Sequence, residues 1–259
     1  MKKYIISFIV FIMSVSHAFA SDLLTAQADS AYNKEDYATA VELYNKILST
    51  EGKSADVYYN LGNTWYRRGK IAQSILAYER ALRIEPTHSD ARTNLQFVNS
   101  TLEDKPEDNN SFLTRLHNTI ITSMNANAWA WVTLLSFAMI CATIALYIFS
   151  PNIAVRKIGF FGAIVLILAT FYFVIVTINA SNRIDNHSEA IVTVPSTLLN
   201  SVPRQPRQTE KVVPLHEGTK VEIIDSVATP DDPVSPKWYN VRINGSTGAW
   251  LRATDVERI

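Results

Sequence analysis

The chain holds one cysteine, Cys141, in 259 residues. An internal disulfide framework is therefore excluded, whatever the redox compartment. No sign of charge dominates: 24 Lys and Arg balance 24 Asp and Glu, so nothing in the composition points to a nucleic-acid partner. The five histidines, His17, His88, His117, His187 and His216, are scattered. None forms an i, i+4 pair, so no metal site is expected. G-x-S-x-G, H-E-x-x-H and a phosphate loop are all missing. Ser, His and Asp occur, but in no recognisable constellation. The expectation is a non-enzyme with no catalytic residue, cofactor or metal.

What the chain does have is two long apolar runs, Ala128 to Phe149 and Ile158 to Ile178. Each is close to the roughly 20 residues that a helix needs to cross a hydrocarbon core. Neither carries an ionisable side chain, which argues against a transport or proton-relay role. Cys141 sits in the first run and reads as a small, packable residue. Thr133, Ser136, Thr143, Gly162 and Thr170 read as helix-packing positions. The turn at 150–157 carries Arg156 and Lys157. By the excess of Lys and Arg on cytoplasmic loops, that turn is cytoplasmic and both flanking segments lie on the other side. The amino terminus agrees. Met1-Lys2-Lys3 is a basic start, Tyr4 to Val15 an apolar stretch and Ala18-Phe19-Ala20 an A-x-A cleavage site, so residues 1–20 read as a signal peptide. Together these features predict a bacterial inner-membrane protein with two exported modules.

Residues 21–104 read as a helical repeat. Tyr58, Leu61, Gly62, Trp65, Ser74, Tyr78, Ala81 and Pro86 fall at the signature places of the tetratricopeptide repeat, which this stretch resembles. The physical logic stands beside the name. Gly62 and Ala81 are small where two antiparallel helices cross. Leu61, Trp65 and Tyr78 fill the seam, Gly69 permits the turn and Pro86 stops the second helix. A weaker copy lies one period of about 34 residues upstream, in Ala28, Tyr37, Ala40 and Tyr44. Gly52 replaces its terminal proline. Asp90 to Leu102 is expected as a capping helix.

The resemblance implies peptide binding on the concave face, lined by the first helix of each repeat. Tyr59, Asn60, Asn63, Tyr66, Arg67 and Asn94 are the candidate groove residues. An Asn side chain offers both a donor and an acceptor to an extended peptide, and Arg67 is suited to a carboxylate. Asn63 and Arg67 are expected on a solvated face, removable at little stability cost.

Residues 105–127 begin with a polar linker, Lys105 to Asn110. Phe112, Leu113, Leu116, Ile120 and Met124 then form an apolar stripe at helical spacing, with Ser111 as N-cap. Such a helix suits a membrane interface. Trp129 and Trp131 are expected at headgroup depth.

From residue 187 to 259 the period changes to that of strands. Glu189–Val194, Lys220–Ile224, Trp238–Ile243, Gly248–Leu251 and Val256–Ile259 predict a small β-barrel, with Asn244-Gly245 as a hairpin turn. Glu217-Gly218-Thr219, Trp238-Tyr239-Asn240-Val241-Arg242-Ile243 and Gly248-Ala249-Trp250 resemble the bacterial SH3-like domain. That family often has Arg-Ser-Gly-Pro where this chain has Leu199-Asn200-Ser201-Val202-Pro203. Trp238, Tyr239 and Trp250 read as core rather than as a sugar-stacking site.

The fold expected is thus multidomain: an all-α tetratricopeptide solenoid, a two-helix transmembrane hairpin and a C-terminal all-β SH3-like barrel. In this order the parts resemble the BatE family of the Bacteroides aerotolerance operon. Asp90-Ala91-Arg92-Thr93-Asn94-Leu95 and Asp255-Val256-Glu257-Arg258 also suit that family. The resemblance implies a membrane-anchored scaffold in envelope or oxidative-stress tolerance. Its implied partners are membrane proteins with von Willebrand factor A domains and, indirectly, a MoxR-type AAA+ ATPase. The alternative is a cell-wall sensor whose SH3-like domain touches peptidoglycan.

Overall fold

The structure is a computed structural model that describes residues 23–105, 111–185, 188–204, 213–229, 237–243 and 248–259. The expected signal peptide, residues 106–110 of the linker and the Asn244-Gly245 turn lie outside the described residues. The chain forms two compact units. One gathers the helices before Asn109 with His187–Ile259, and the other is built on Asn110–Asn186.

In the first unit, helix α1 is described over residues 23–33. It is followed by α2 (Tyr37–Thr50), α3 (Ala55–Arg67), α4 (Ile71–Ile84) and α5 (Ser89–Ser100). Local chemistry starts most of them. The side chains of Asp36, Ser54 and His88 accept the N–H groups of Thr39, Val57 and Ala91, satisfying one orphan donor each at α2, α3 and α5. The helices pack as antiparallel pairs. A Cβ placed on Gly62 would stand 2.6 Å from Cε1 of Tyr78, so only glycine lets α4 lie this close to α3. Ala28, Ala40 and Tyr44 of the weaker repeat are as buried as Ala81 and Tyr78.

The strands are β1 (Glu189–Val192), β2 (Ser196–Leu199), β3 (Val213–His216), β4 (Lys220–Ala228), β5 (Lys237–Arg242), β6 (Ala249–Arg252) and β7 (Val256–Arg258). Five pair antiparallel in the order β6-β5-β4-β1-β7, and β2 pairs with β3. The outer strands β6 and β7 are consecutive, joined only by the short turn Ala253–Asp255. The sheet must therefore curl on itself to bring its two edges together. The core of the β-domain buries Ala190, Val192, Val221, Val241 and Leu251 of this sheet together with Leu215 of β3. The strands β2 and β3 escape a reading by alternation because each is four residues long and Pro214 interrupts β3. The Leu199–Pro203 stretch is pinned to the sheet, since Asn200 and Trp250 exchange backbone hydrogen bonds of 2.8 and 2.7 Å.

Repeat and sheet share one core. Ile191 and Ile259 belong to the same buried cluster as Ile75, Leu82, Leu95 and Val98. Around it runs a charged seam. Arg83, 7% exposed, donates to Glu189 Oε2 at 2.8 Å and to the Ile259 carbonyl at 2.7 Å. Lys220 Nζ lies 3.0 Å from both Glu79 and Glu189. Arg80 donates to Glu257 and to the Arg258 carbonyl. Glu217 Oε1 accepts the Ala72 N–H at 3.1 Å, so the first turn of α4 is capped from the β-domain. Asp104 Oδ2 receives the backbone N–H of His216 and the Thr219 hydroxyl. Gly218, at φ +87°, lies where a Cβ would strike Leu102 at 2.7 Å and Ile75 at 2.9 Å. Reading the two modules as separate bodies misses this, because no local pattern shows which charges will meet.

The second unit contains α6 (Phe112–Ile121), α7 (Ala126–Phe149) and α8 (Ile153–Asp185). Helices α7 and α8 are long and apolar enough to cross a membrane. They pair through Ser136–Thr170 and Thr133–Thr177 hydroxyl contacts of 2.6 and 3.0 Å. One expectation needs correction here. Arg156 and Lys157 lie in the opening turns of α8, which starts at Ile153, because the Asn152 side chain accepts the Ala154 N–H and starts the helix early. Trp129, expected at headgroup depth, is buried within this unit. It is 6% exposed in a cluster with Ile121, Val176 and Ala180, and its indole N–H donates to the Ile121 carbonyl. Trp131 is exposed. On α6, Phe112, Leu113 and Leu116 are exposed, whereas Ile121 is buried with Ile120 packed beside it.

Candidate functional site

The expected groove residues fall on α3 and α5, which share one face of the repeat. Tyr59 is half-buried, with its ring 4.9 Å from that of His88. Asn60 is half-buried and its backbone carbonyl accepts the Thr64 hydroxyl at 2.7 Å. Tyr66 is exposed and meets Phe97 edge to face, with ring centroids 6.0 Å apart. Arg67 is exposed. The Tyr32 hydroxyl beside it stabilises its charge and raises its pKa.

The solvated reading of Asn63 is corrected. Asn63 is half-buried and its Oδ1 accepts two hydrogen bonds. One comes from the Tyr78 hydroxyl at 2.7 Å and the other from Asn94 Nδ2 at 2.8 Å. Tyr78 rises from α4 beneath the face, 1% exposed. Burial pushes its hydroxyl up to about 12, so it stays a neutral donor across the physiological range. The weaker repeat holds the same bond one period earlier, where the Tyr44 hydroxyl donates to Asp29 Oδ1 at 2.6 Å. Burial, then this carboxylate, raises the Tyr44 pKa as well.

Two residues of this face were not singled out from the sequence. The repeat signature marks Tyr78 as core, which its ring is. Its hydroxyl belongs to the groove floor, and the period linking Tyr44–Asp29 to Tyr78–Asn63 was the signal available. Phe97, 55% exposed, stands one helical turn beyond Asn94 and was missed because a capping helix is read for its buried side.

On the β-domain, Trp238 is fully buried. Tyr239 packs against the sheet's core, and Trp250 is half-buried. Among the described residues no group of His, Cys, Asp and Glu is arranged to hold a metal ion.

Residues 25–89 match the tetratricopeptide repeat family, which covers α1 to α4 as built above. This repeat is a protein–protein interaction module. No curated protein matches the chain.

Proposed function

We propose that this protein is a membrane-anchored scaffold whose tetratricopeptide face docks a segment of another protein. The observation that carries it is the division of the repeat's surface. The β-sheet occupies Glu79, Arg80 and Arg83 of α4, while the α3–α5 face keeps Tyr66 and Phe97 open around an ordered amide pair. An exposed aromatic pair beside oriented polar groups has the make-up of a recognition surface.

In this reading α7 and α8 are the membrane anchor and Arg156 and Lys157 mark the cytoplasmic side. Repeat and β-domain then stand on the periplasmic side of a bacterial inner membrane. The β-domain is read as SH3-like, in keeping with its short curled sheet. The BatE resemblance supplies the partners: von Willebrand factor A membrane proteins of a Bat-type envelope complex, and indirectly a MoxR-type ATPase. The full burial of Trp238 and the packing of Tyr239 against the core weigh against the peptidoglycan sensor. The test is recovery of the full chain from mild detergent. Stable recovery of membrane proteins with von Willebrand factor A domains, lost when Tyr66 and Phe97 are both changed to Ala, supports the scaffold. Sedimentation with insoluble sacculi and no protein partner overturns it.

A further inference from the structure

We propose that α6 is a third element of the membrane anchor, lying in the boundary between headgroups and lipid chains on the side away from the α7–α8 turn, with Phe112, Leu113 and Leu116 among the chains. This rests on the reading of α7 and α8 as the anchor.

The helix has three faces. One packs: Ile120 and Ile121 join Trp129, Val176 and Ala180. On the same face His117 is held at both ring nitrogens. Nδ1 lies 3.4 Å from the Tyr172 hydroxyl and Nε2 lies 3.3 Å from Asn179 Nδ2. These contacts fix the turn of α6 about its own axis. The second face is apolar and open. Phe112 and Leu113 are each 73% exposed and Leu116 is 48% exposed, and at 3.6 residues per turn the three fall within about 100°. Opposite them stand Thr114 and Asn118, both exposed and polar. A helix already packed on one side, with a second apolar stripe opposite a polar one, fits an interface between two media.

The place of docking sets the depth. The partners of α6 on α8 are Tyr172, Val176, Asn179 and Ala180. They lie around the end of the apolar run that is far from the turn. From Tyr172 to Ile178, where that run ends, the helix rises about 9 Å. An interfacial helix sinks its apolar face about 5–10 Å into the boundary, so α6 straddles the level such a helix occupies. Trp131 marks the same level on α7. It stands just before Thr133, whose hydroxyl meets that of Thr177, and it is 65% exposed. An exposed indole is favoured at headgroup depth. Beside α6, α8 exposes Ile175 and Ile178. The open face of α6 thus continues the apolar surface that the spans present to lipid, and lipid is the occupant that covers both together.

The experiment uses the full chain in phosphatidylcholine vesicles, with Cys141→Ser removing the one native thiol. Single cysteines are placed by Leu113→Cys, Leu116→Cys and Asn118→Cys, with Leu135→Cys on α7 as the reference inside the span. Each carries a small environment-sensitive fluorophore, quenched either by aqueous iodide or by lipids brominated near the glycerol or near the chain end. Labels at Leu113 and Leu116 should be quenched by brominated lipid several-fold more than the label at Asn118, and more by the shallow bromines than by the deep ones. The label at Asn118 should be quenched by iodide. Equal iodide quenching at Leu113, Leu116 and Asn118 would leave α6 in water and overturn the proposal. Shielding of Leu113 and Leu116 from both quenchers would overturn it in favour of a protein occupant, a second copy included. Stronger quenching by the deep bromines, or lipid quenching at Asn118 as well, would sink α6 into the core and overturn the interfacial placement. If the label at Leu135 is not quenched by brominated lipid, the anchor reading fails and this inference with it.

Discussion

Arg83→Ala should loosen repeat and sheet together. The side chain is 8% exposed and makes two charge-assisted bonds, to Glu189 at 2.8 Å and to the Ile259 carbonyl at 2.7 Å. Removing one partner of a buried ion pair costs about 3–5 kcal/mol, mostly from the charge left behind. Here the charge left behind is Glu189, which is 38% exposed and keeps Lys220 at 3.0 Å. The lower end applies, about 3 kcal/mol. The assay is hydrogen exchange by mass spectrometry on the full chain in micelles, following peptides from α4 and from β1. In the wild type both should exchange through one opening. In Arg83→Ala both should speed up about a hundredfold, since each 1.4 kcal/mol is a factor of ten. Arg83→Met, which keeps the apolar stem, should behave alike but more mildly. Faster exchange in β1 with α4 unchanged would refute the shared core.

Acid should weaken the same seam. Burial opposes the Glu189 carboxylate, but Lys220 and Arg83 outweigh it and hold its pKa below the usual 4.5. Asp104 is likewise held below 3.8, by His216 and Thr219 against its partial burial. Their stabilisation is complete above those ordinary values and is lost as pH falls through the depressed ones. An acid melt should show this, and Glu189→Gln should flatten it. Gly62→Leu should lower the melting temperature directly, because its Cβ alone meets the Tyr78 ring and overpacking costs about 1–3 kcal/mol. A normal melt would refute the close crossing. Asn63→Ala should cost about 1–3 kcal/mol, since it strips the Tyr78 hydroxyl of its acceptor. Arg67→Ala, on the exposed side, should stay within about 0.5 kcal/mol; equal melts for the two would contradict the floor network. Reporters fused after Asn110 and after Ile259 should be active outside the cytoplasm and one inserted at Asn152 inside, and a cytoplasmic signal from the C-terminal fusion would overturn the orientation.

Sequence by itself determined whatever depends on neighbours along the chain. The place of Gly62 opposite Tyr78, the Ser111 N-cap, the two apolar runs and the strand at Trp238 follow from period, size and capping chemistry, all set within a few residues. Even the groove's helices were legible, because a repeat writes the same face twice. Only the tertiary structure decided what meets across distance. Asp104 finds His216, Glu217 caps α4, and Arg83 joins Glu189 to Ile259. None of these pairs has a spacing rule, since charges more than a hundred residues apart carry no shared period. The same reason hid the true state of Asn63. Its address on α3 was readable, but its partners come from α4 and α5, and packing alone turned a solvated side chain into an oriented one.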